Sequence, residues 1–348
     1  MELTAAFIGY GNVARAFARM LNDKLEELGL QYSLSLKTKG IATANHGCII
    51  SPGGVDLIEA AQCVESGGQL SALPGSVAAS DPFDVITRCP VDILFETTPL
   101  NAFDGEPAID YIRSALARGM HVVTANKGPV AFAYSELKAL ADNGALNLRF
   151  EGTVMDGAPV FNLVERCLPG ARVLGFSGVL NSTTNLILTR MESGLGFDES
   201  LAEAQRLGIG EANADYDIDG WDAAIKATAL ANVLFNTDLR PSDVDRQGIR
   251  GITIETVARA TRYSQALRLV ARCVRSDRRV DLKVALESVA RESALGSVRG
   301  TSNVLVLETD LMGQIAVFEY DPGVKQTAYA LLSDLITIHQ SIAGNQKS

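Results

Sequence analysis

Leu3 to Ile8 form a short apolar run that stops at Gly9-Tyr10-Gly11-Asn12-Val13-Ala14. Behind it Val13, Phe17, Met20, Leu21, Leu25 and Leu28 fall on one face of a predicted helix. Further apolar runs predict strands near Lys37–Thr43, at Val91–Thr98 with a polar end, and at His121–Ala125. Helical periodicity covers about Glu106–Arg118 and Tyr134–Asn143. Strands alternating with helices of this length imply a parallel sheet covered on both faces, with ligands at the carboxyl ends of its strands. The stretch Ser51–Cys89, bounded by Gly, Ser and Pro, reads as an insertion with one helix at about Val55–Glu65.

After about residue 150 the rhythm changes. Strands are expected at about Asn147–Val154 and Val173–Leu180, then helices over Thr184–Glu192, Glu199–Leu207 and Gly220–Phe235. Asn303–Glu308 and Gln314–Glu319 look like paired strands, and the helical run Thr327–His339 returns to the first domain. The predicted fold class is therefore α/β. A Rossmann-type dinucleotide-binding domain with a parallel sheet spans residues 1–150, completed by about 320–348. An α+β domain for substrate and dimerisation spans 151–319.

The glycine motif sharpens this. Gly9-x-Gly11-x-x-Ala14 follows a strand and opens a helix, so the first glycine permits the turn and the second admits a pyrophosphate close to the backbone. Asn12 and Val13 begin that helix. The cofactor is thus read as NAD(P). No carboxylate stands in Thr43-Ala44-Asn45-His46 to grip the ribose hydroxyls of NAD, which points towards NADP with Asn45 or His46 near a 2′-phosphate. A loop making no cofactor contact fits the same residues equally well.

Charge and cysteine usage remove other classes. A net charge of -10 argues against a nucleic-acid groove. No apolar run reaches the roughly 18–20 residues that cross a bilayer, and the N-terminus lacks a signal-peptide pattern. Cys48, Cys63, Cys89, Cys167 and Cys273 are scattered and odd in number, as expected of reduced thiols in a cytoplasmic protein. A small-molecule substrate is left as the expected partner.

The densest chemistry lies between Asn181 and Lys226. Asn181-Ser182-Thr183-Thr184-Asn185 precedes a helix, and Glu211 to Asp222 packs five carboxylates into twelve residues before Lys226. Asp222 and Lys226, four apart, share a helix face. A plainer account also fits: Asn, Ser and Thr as helix caps, Asp219 and Asp222 as a reciprocal cap, and Lys226 as a surface salt-bridge residue.

Gly178-Val179-Leu180-Asn181-Ser182-Thr183-Thr184-Asn185-Leu186-Ile187-Leu188, followed by Glu203 to Gly208, Glu211, Asp217 to Gly220, Asp222 and Lys226, resembles the homoserine dehydrogenase signature. Val123-Thr124-Ala125-Asn126-Lys127, Phe150-Glu151-Gly152-Thr153-Val154, Ala158-Pro159, Leu295 to Gly300 with Asn303, and Thr327-Ala328 with Asp334 extend the resemblance in order along nearly the whole chain. It implies NAD(P)-dependent interconversion of L-homoserine and L-aspartate 4-semialdehyde. Lys226 would be the acid/base at the reacting oxygen, and Lys127 would lie beside substrate and nicotinamide. Glu211 and Asp217 would hold the substrate ammonium, Asp222 would orient the lysine, and Thr183 would bind substrate polar groups. Thr97 and Thr98 would line the nicotinamide pocket. A sodium site of backbone carbonyls maps onto Glu151, Val154, Asp156 and Ala158, and a homodimer or higher homo-oligomer forms through the second domain. Such an enzyme belongs to the biosynthesis of threonine and methionine.

The chemistry suits these types. A desolvated lysine, or one beside another cation, exchanges a proton near neutral pH, and lysines and carboxylates together stabilise developing charge. An alcohol product needs no thiol nucleophile. The pattern departs from the family at Ser182, where a glycine is usual, and at Met155-Asp156, Ile209-Gly210, Asn213-Ala214 and Pro322 to Lys325. Two alternatives follow: a dehydrogenase of the same fold acting on a related hydroxy compound, or an NAD(P)-binding paralogue without turnover.

Overall fold

The structure is a computed structural model that describes residues 2–209, 214–276 and 279–345. It divides into two compact units, Met1–Pro159 with Gly323–Ser348, and Val160–Pro322.

In the first unit the strands are β1 (Glu2–Ile8), β2 (Ser35–Ala42), β3 (Cys48–Ile50), β4 (Val77–Ala79), β5 (Ile93–Glu96), β6 (His121–Thr124) and β7 (Leu148–Arg149), in the spatial order β4-β3-β2-β1-β5-β6-β7. From β2 to β7 the pairings are parallel, whereas β3 and β4 add an antiparallel edge. This is the expected Rossmann-type α/β sheet. Helices cover both faces, so central strands are apolar on both sides. Phe7 of β1 accordingly stacks on Phe95 of β5 at 4.8 Å between ring centroids, under Phe17 of the first helix.

Several elements differ from expectation. The first helix is two helices, Asn12–Asp23 and Leu25–Tyr32, broken at Lys24. The break redirects the apolar face, so Leu25 is 59% exposed while Leu21 and Leu28 stay buried. The region 51–89 holds the expected helix, Leu57–Glu65, started where Asp56 Oδ1 accepts from the backbone N–H groups of Ile58 and Glu59. It also supplies β4 and a further helix, Pro82–Arg88, capped by Asp81. β3 and β4 are each three residues long, too short for alternation to show. The strand expected to Val154 stops at Arg149 and gives way to a 3₁₀ turn, Glu151–Thr153.

The second unit has β8 (Val173–Val179), β9 (Asp245–Arg246), β10 (Gln265–Ser276), β11 (Arg279–Ala290), β12 (Asn303–Thr309) and β13 (Gly313–Glu319), ordered β13-β12-β8-β10-β11-β9. β12 and β13 pair antiparallel, as their patterns predict. The long hairpin of β10 and β11 was not foreseen. Residues 266–271 of β10 are all buried, which erases alternation, and Arg268, Arg272 and Arg275 fall at a helix-like spacing.

Arg268 explains why a charge sits in that strand. Its guanidinium, fully buried, meets Glu192 Oε1 at 2.7 Å and donates to the carbonyls of Leu267, Gly296 and Val298. Glu192 ends the helix Ser182–Glu192 and also pairs with Arg291 and Arg299. The ion cluster therefore pins the helix that begins at the candidate site to the sheet behind it.

Candidate active site

The first unit contains a cleft at the sheet's switch point. Strand order reverses beside β1, between β2 and β5, so crossovers leave on opposite faces and open a crevice at the strand ends. Gly9, just past β1, has φ +91°, and a Cβ there would lie 2.6 Å from the carbonyl carbon of Thr97. Only glycine lets these two strand ends close. Thr97 then donates from its backbone N–H to Ile8 and from its hydroxyl to the Gly9 carbonyl, both at 2.8 Å. Gly11 precedes the helix Asn12–Asp23, and a Cβ on it would meet nothing within 4 Å. That open space over a helix start, lined by backbone N–H groups, is what a pyrophosphate requires.

Gly9, Gly11, Thr97 and Thr98 line one cleft of about 680 Å³, together with Thr43 to His46. Asn12 and Val13 form the first turn of the adjoining helix, and Asn12 Oδ1 accepts from Arg15 at 2.8 Å. These residues fit a dinucleotide. Lys127 opens the helix Lys127–Asn143, whose N-cap Asn126 accepts from the Gly128 N–H at 3.0 Å. It is half-buried.

Glu151, Val154, Asp156 and Ala158 share one largely buried turn of the first unit. The Glu151 N–H donates to Asp334 Oδ2 at 3.0 Å, and the Thr327 hydroxyl donates to Asp156 Oδ1 at 2.5 Å. Asp156 is left-handed at φ +38°, and Gly157 leaves no room for a Cβ beside the Gln326 carbonyl. Among the described residues no group of three or more His, Cys, Asp or Glu side chains could hold a metal ion.

In the second unit the predicted residues converge on Asn181. Its Oδ1 caps the helix Ser182–Glu192 by accepting from the Thr184 N–H and hydroxyl, each at 2.8 Å. Its Nδ2 donates to Asp217 Oδ1 at 2.7 Å and to Asp222 Oδ2 at 2.9 Å. Lys226 Nζ donates to the Leu180 carbonyl at 2.8 Å and stands 3.4 Å from Asp222 Oδ2. Thr183 donates to the Ile209 carbonyl at 3.0 Å. Burial and the neighbouring Asp222 push the Asp217 carboxyl above the usual aspartate range, against the pull of Asn181, Thr183 and Lys226. Glu211 lies outside the described residues.

The plainer account holds for the Asn181 cap but fails for Asp219 and Lys226. Gly220, at φ +80°, occupies the cap position of the helix Trp221–Phe235, and Asp219 pairs with Arg250 instead. Asp215 joins the same arginine, so the described carboxylates of the run divide into an Arg250 pair and the Asn181 pair of Asp217 and Asp222. The Lys226 side chain is only 15% exposed, on a largely buried helix. Ser182 accepts from Asn303 Nδ2 at 3.2 Å, so its hydroxyl joins the helix start to β12.

Residues 159–336 match the family model for homoserine dehydrogenase, and residues 9–151 match that for the homoserine dehydrogenase NAD binding domain. The chain belongs to the homoserine dehydrogenase family. Members are NAD(P)-dependent oxidoreductases acting on a CH–OH group. The chain is 36% identical to the NAD(+)-dependent homoserine dehydrogenase of Pseudomonas canavaninivorans, over 99% of both chains. It is 36% identical to the homoserine dehydrogenase of Methanocaldococcus jannaschii, over 96% of this chain and 98% of the relative. A hyperthermophilic archaeal homoserine dehydrogenase solved with NADPH superposes at a TM-score of 0.83 and 29% identity, covering 98% of each chain. No described helix of this family member is long and apolar enough to cross a membrane.

Sequence reasoning missed the part played by Asn181. An asparagine before a helix signals a cap, and nothing local reveals that its amide also bridges carboxylates 36 and 41 positions away. Glu96, fully buried at the end of β5, was missed for a similar reason: it reads as the polar end of an apolar strand.

Proposed function

We propose that the chain interconverts L-homoserine and L-aspartate 4-semialdehyde, with Lys226 as the acid/base at the reacting oxygen. The observation behind this reading is the cluster at Asn181, where the Asp217 and Asp222 carboxylates are held side by side and Lys226 Nζ stands 3.4 Å from Asp222. The ammonium of an amino-acid substrate set against these acids would favour ionisation of Asp217. Glu211 and Thr183 would join Asp217 in holding the substrate, and Lys127 would act beside it. NAD(P), when bound in the first unit, supplies or takes the hydride. Lys226 gives a proton to the developing alkoxide or removes it in the reverse direction, and the Leu180 carbonyl with Asp222 fixes where its Nζ lies.

For the cofactor, the residues after β2 point to NADP on sequence alone, but the charges of the cleft support NAD. Arg15 is the one lysine or arginine among the described residues lining it. Its guanidinium is taken by Glu65, the Tyr10 carbonyl and Asn12. His46 Nδ1 lies 2.8 Å from the Gly68 carbonyl and donates to it. The Asp81 carboxylate lines the same cleft and adds negative charge that disfavours a 2′-phosphate, whereas a ribose hydroxyl needs no cation. The NAD(+)-dependent relative agrees with this reading, and the NADPH complex stands against it.

Three finer readings accompany it. A sodium ion held by carbonyl oxygens around Glu151, Val154, Asp156 and Ala158 suits a buried turn offering hard oxygen donors, and elemental analysis after dialysis into potassium buffer tests it. A homodimer through the second unit is supported by the edge strand β13, which leaves Phe318 and neighbouring Tyr320 exposed; a monomer in sedimentation at micromolar protein refutes it. A cytoplasmic location accords with five free cysteines, and cell fractionation tests it.

The deciding experiment follows absorbance at the nicotinamide band with L-homoserine and NAD or NADP in separate cuvettes at alkaline pH. Reduction is expected, faster with NAD. Reduction only with other short hydroxy compounds would replace the substrate and make Ser182 the first residue to examine. NAD(P)H binding without turnover on any of them would overturn the enzymatic reading.

A further inference from the structure

Glu65 ends the helix Leu57–Glu65, next to Val64, which lines the dinucleotide cleft. From there its carboxylate reaches two arginines of the helix Asn12–Asp23. Arg19 Nη2 donates to Oε1 at 2.6 Å and to Oε2 at 2.7 Å, and Arg15 Nε donates to Oε1 at 3.2 Å. The two arginines are four apart and share a helix face, so one carboxylate can meet both. The hydrogen bond from Arg19, and then the charges of Arg19 and Arg15, outweigh desolvation and hold the Glu65 carboxyl below the usual glutamate range. It is ionised at neutral pH.

The two arginines differ in what they face. Arg15 lines the cleft together with Thr43 to His46, the residues that follow β2, and its side chain is 16% exposed. In this fold the adenosine ribose lies at the end of the second strand, and an arginine near it accommodates a 2′-phosphate. Arg19 stands one turn further along the helix, outside that lining, with its side chain 48% exposed. Arg15 donates from Nη1 to the Tyr10 carbonyl at 3.1 Å and from Nη2 to Asn12 Oδ1 at 2.8 Å. Both of those acceptors are neutral and leave its charge uncancelled. Glu65 is the anion in its described ion pairs. A 2′-phosphate seated on Arg15 would bring further negative charge against this carboxylate.

We propose that Glu65 determines cofactor specificity: by neutralising Arg15 it withholds the cation that a 2′-phosphate needs, so the cleft selects NAD over NADP. This rests on the reading that the chain prefers NAD. The device differs from an acid at the end of the second strand, which grips the ribose hydroxyls directly. Glu65 lies on the helix Leu57–Glu65 and acts through Arg15, which makes it a positioning residue.

The test measures the Kd of NADH and of NADPH by nicotinamide fluorescence on the full chain, for wild type, Glu65→Gln and the double variant Glu65→Gln with Arg15→Met. The Glu65 side chain is 40% exposed, so an amide fits there without disturbing the fold. Glu65→Gln is expected to tighten NADPH relative to NADH by about fivefold in dilute buffer. The gain should shrink at about 0.5 M salt, as an effect of charge must. Adding Arg15→Met should abolish it. A wild type that binds NADPH more tightly than NADH would remove the NAD reading and the proposal with it. If the wild type prefers NADH but Glu65→Gln leaves the ratio of the two Kd values unchanged, the proposal alone falls. Equal weakening of both cofactors also overturns it, since that marks a purely structural role. A gain that survives in the double variant, or that salt leaves intact, overturns the route through Arg15.

Discussion

Asn181 donates from a single amide nitrogen to two carboxylates, Asp217 at 2.7 Å and Asp222 at 2.9 Å. The two acids are thus held side by side although they repel. Burial and Asp222 together raise the Asp217 pKa, so the folded state binds that proton more tightly than the unfolded chain does. Its ionisation penalty is absent below the unfolded value, about 3.9, and grows as pH rises through the raised folded value. The wild type therefore bears more of that penalty at neutral pH than in acid. Asp217→Asn should therefore raise Tm at neutral pH by about 2–4 °C, for a gain of order 1 kcal/mol, with the difference vanishing in acid. Activity should fall, chiefly through KM for the amino-acid substrate. A lowered Tm at neutral pH would contradict this account of the pair.

Removing the bridge tests the same relationship from the other side. Asn181→Ala deletes the hydrogen bond that lowers the Asp217 pKa, so that pKa should rise further. The acidic limb of the kcat/KM profile is then expected to move to higher pH. The helix Ser182–Glu192 also loses its cap, at a cost of about 1 kcal/mol. A stability loss with an unmoved acidic limb would show that Asp217 does not govern that limb.

Lys226 offers a sharper separation. Lys226→Ala should lower kcat by about 10²–10⁴-fold while leaving the Kd for NAD(P)H within about twofold. Lys226→Arg keeps the charge but cannot release a proton near neutrality, so it should not rescue the rate. An arginine variant with most of the wild-type rate would reduce Lys226 to an electrostatic role.

How much of this could be read beforehand depended on whether the signal was local. β1, the Gly9 turn and its helix were legible because strand, glycine and amphipathic face are contiguous, and Lys226 with Asp222 was legible because four residues make one helical turn. Asn181, Glu96 and Arg268 were not. Each owes its role to partners at least 28 positions away or to burial on both strand faces, neither of which leaves a periodic trace. The carboxylates after Glu211 could be seen as a group, but their division between Arg250 and Asn181 depends on tertiary contacts.

The Arg268–Glu192 pair predicts an acid-sensitive fold. Burial raises the Glu192 pKa, but Arg268, Arg299 and Arg291 outweigh burial and hold it below the usual glutamate range. Its stabilisation is present above the unfolded value, about 4.3, and is lost as pH falls through the depressed folded value. Glu192→Gln should cost about 3–5 kcal/mol at neutral pH, because Arg268 stays buried without its anion. Urea titrations at pH 7 and pH 3.5 should show the gap between variant and wild type narrowing in acid. A constant gap would mean that the cluster's charge contributes little.

Gly9 and Gly11 stand two residues apart in one motif, yet they should fail differently. At Gly9 the backbone is left-handed and a Cβ would overlap the Thr97 carbonyl, so Gly9→Ala must push β1 and β5 apart. A destabilisation of about 2–4 kcal/mol is expected, with loss of cofactor binding as a consequence. At Gly11 the same methyl meets only open space, and φ is -79°, which alanine adopts freely. Gly11→Ala should keep the wild-type Tm within about 1 °C and still raise the Kd for NAD(P)H about tenfold or more, because the space it fills is where the pyrophosphate approaches the helix start. Calorimetric Tm and cofactor titration on the two variants check both statements together. Equal losses of stability, or a Gly11 variant that binds cofactor normally, would remove the pyrophosphate from this turn.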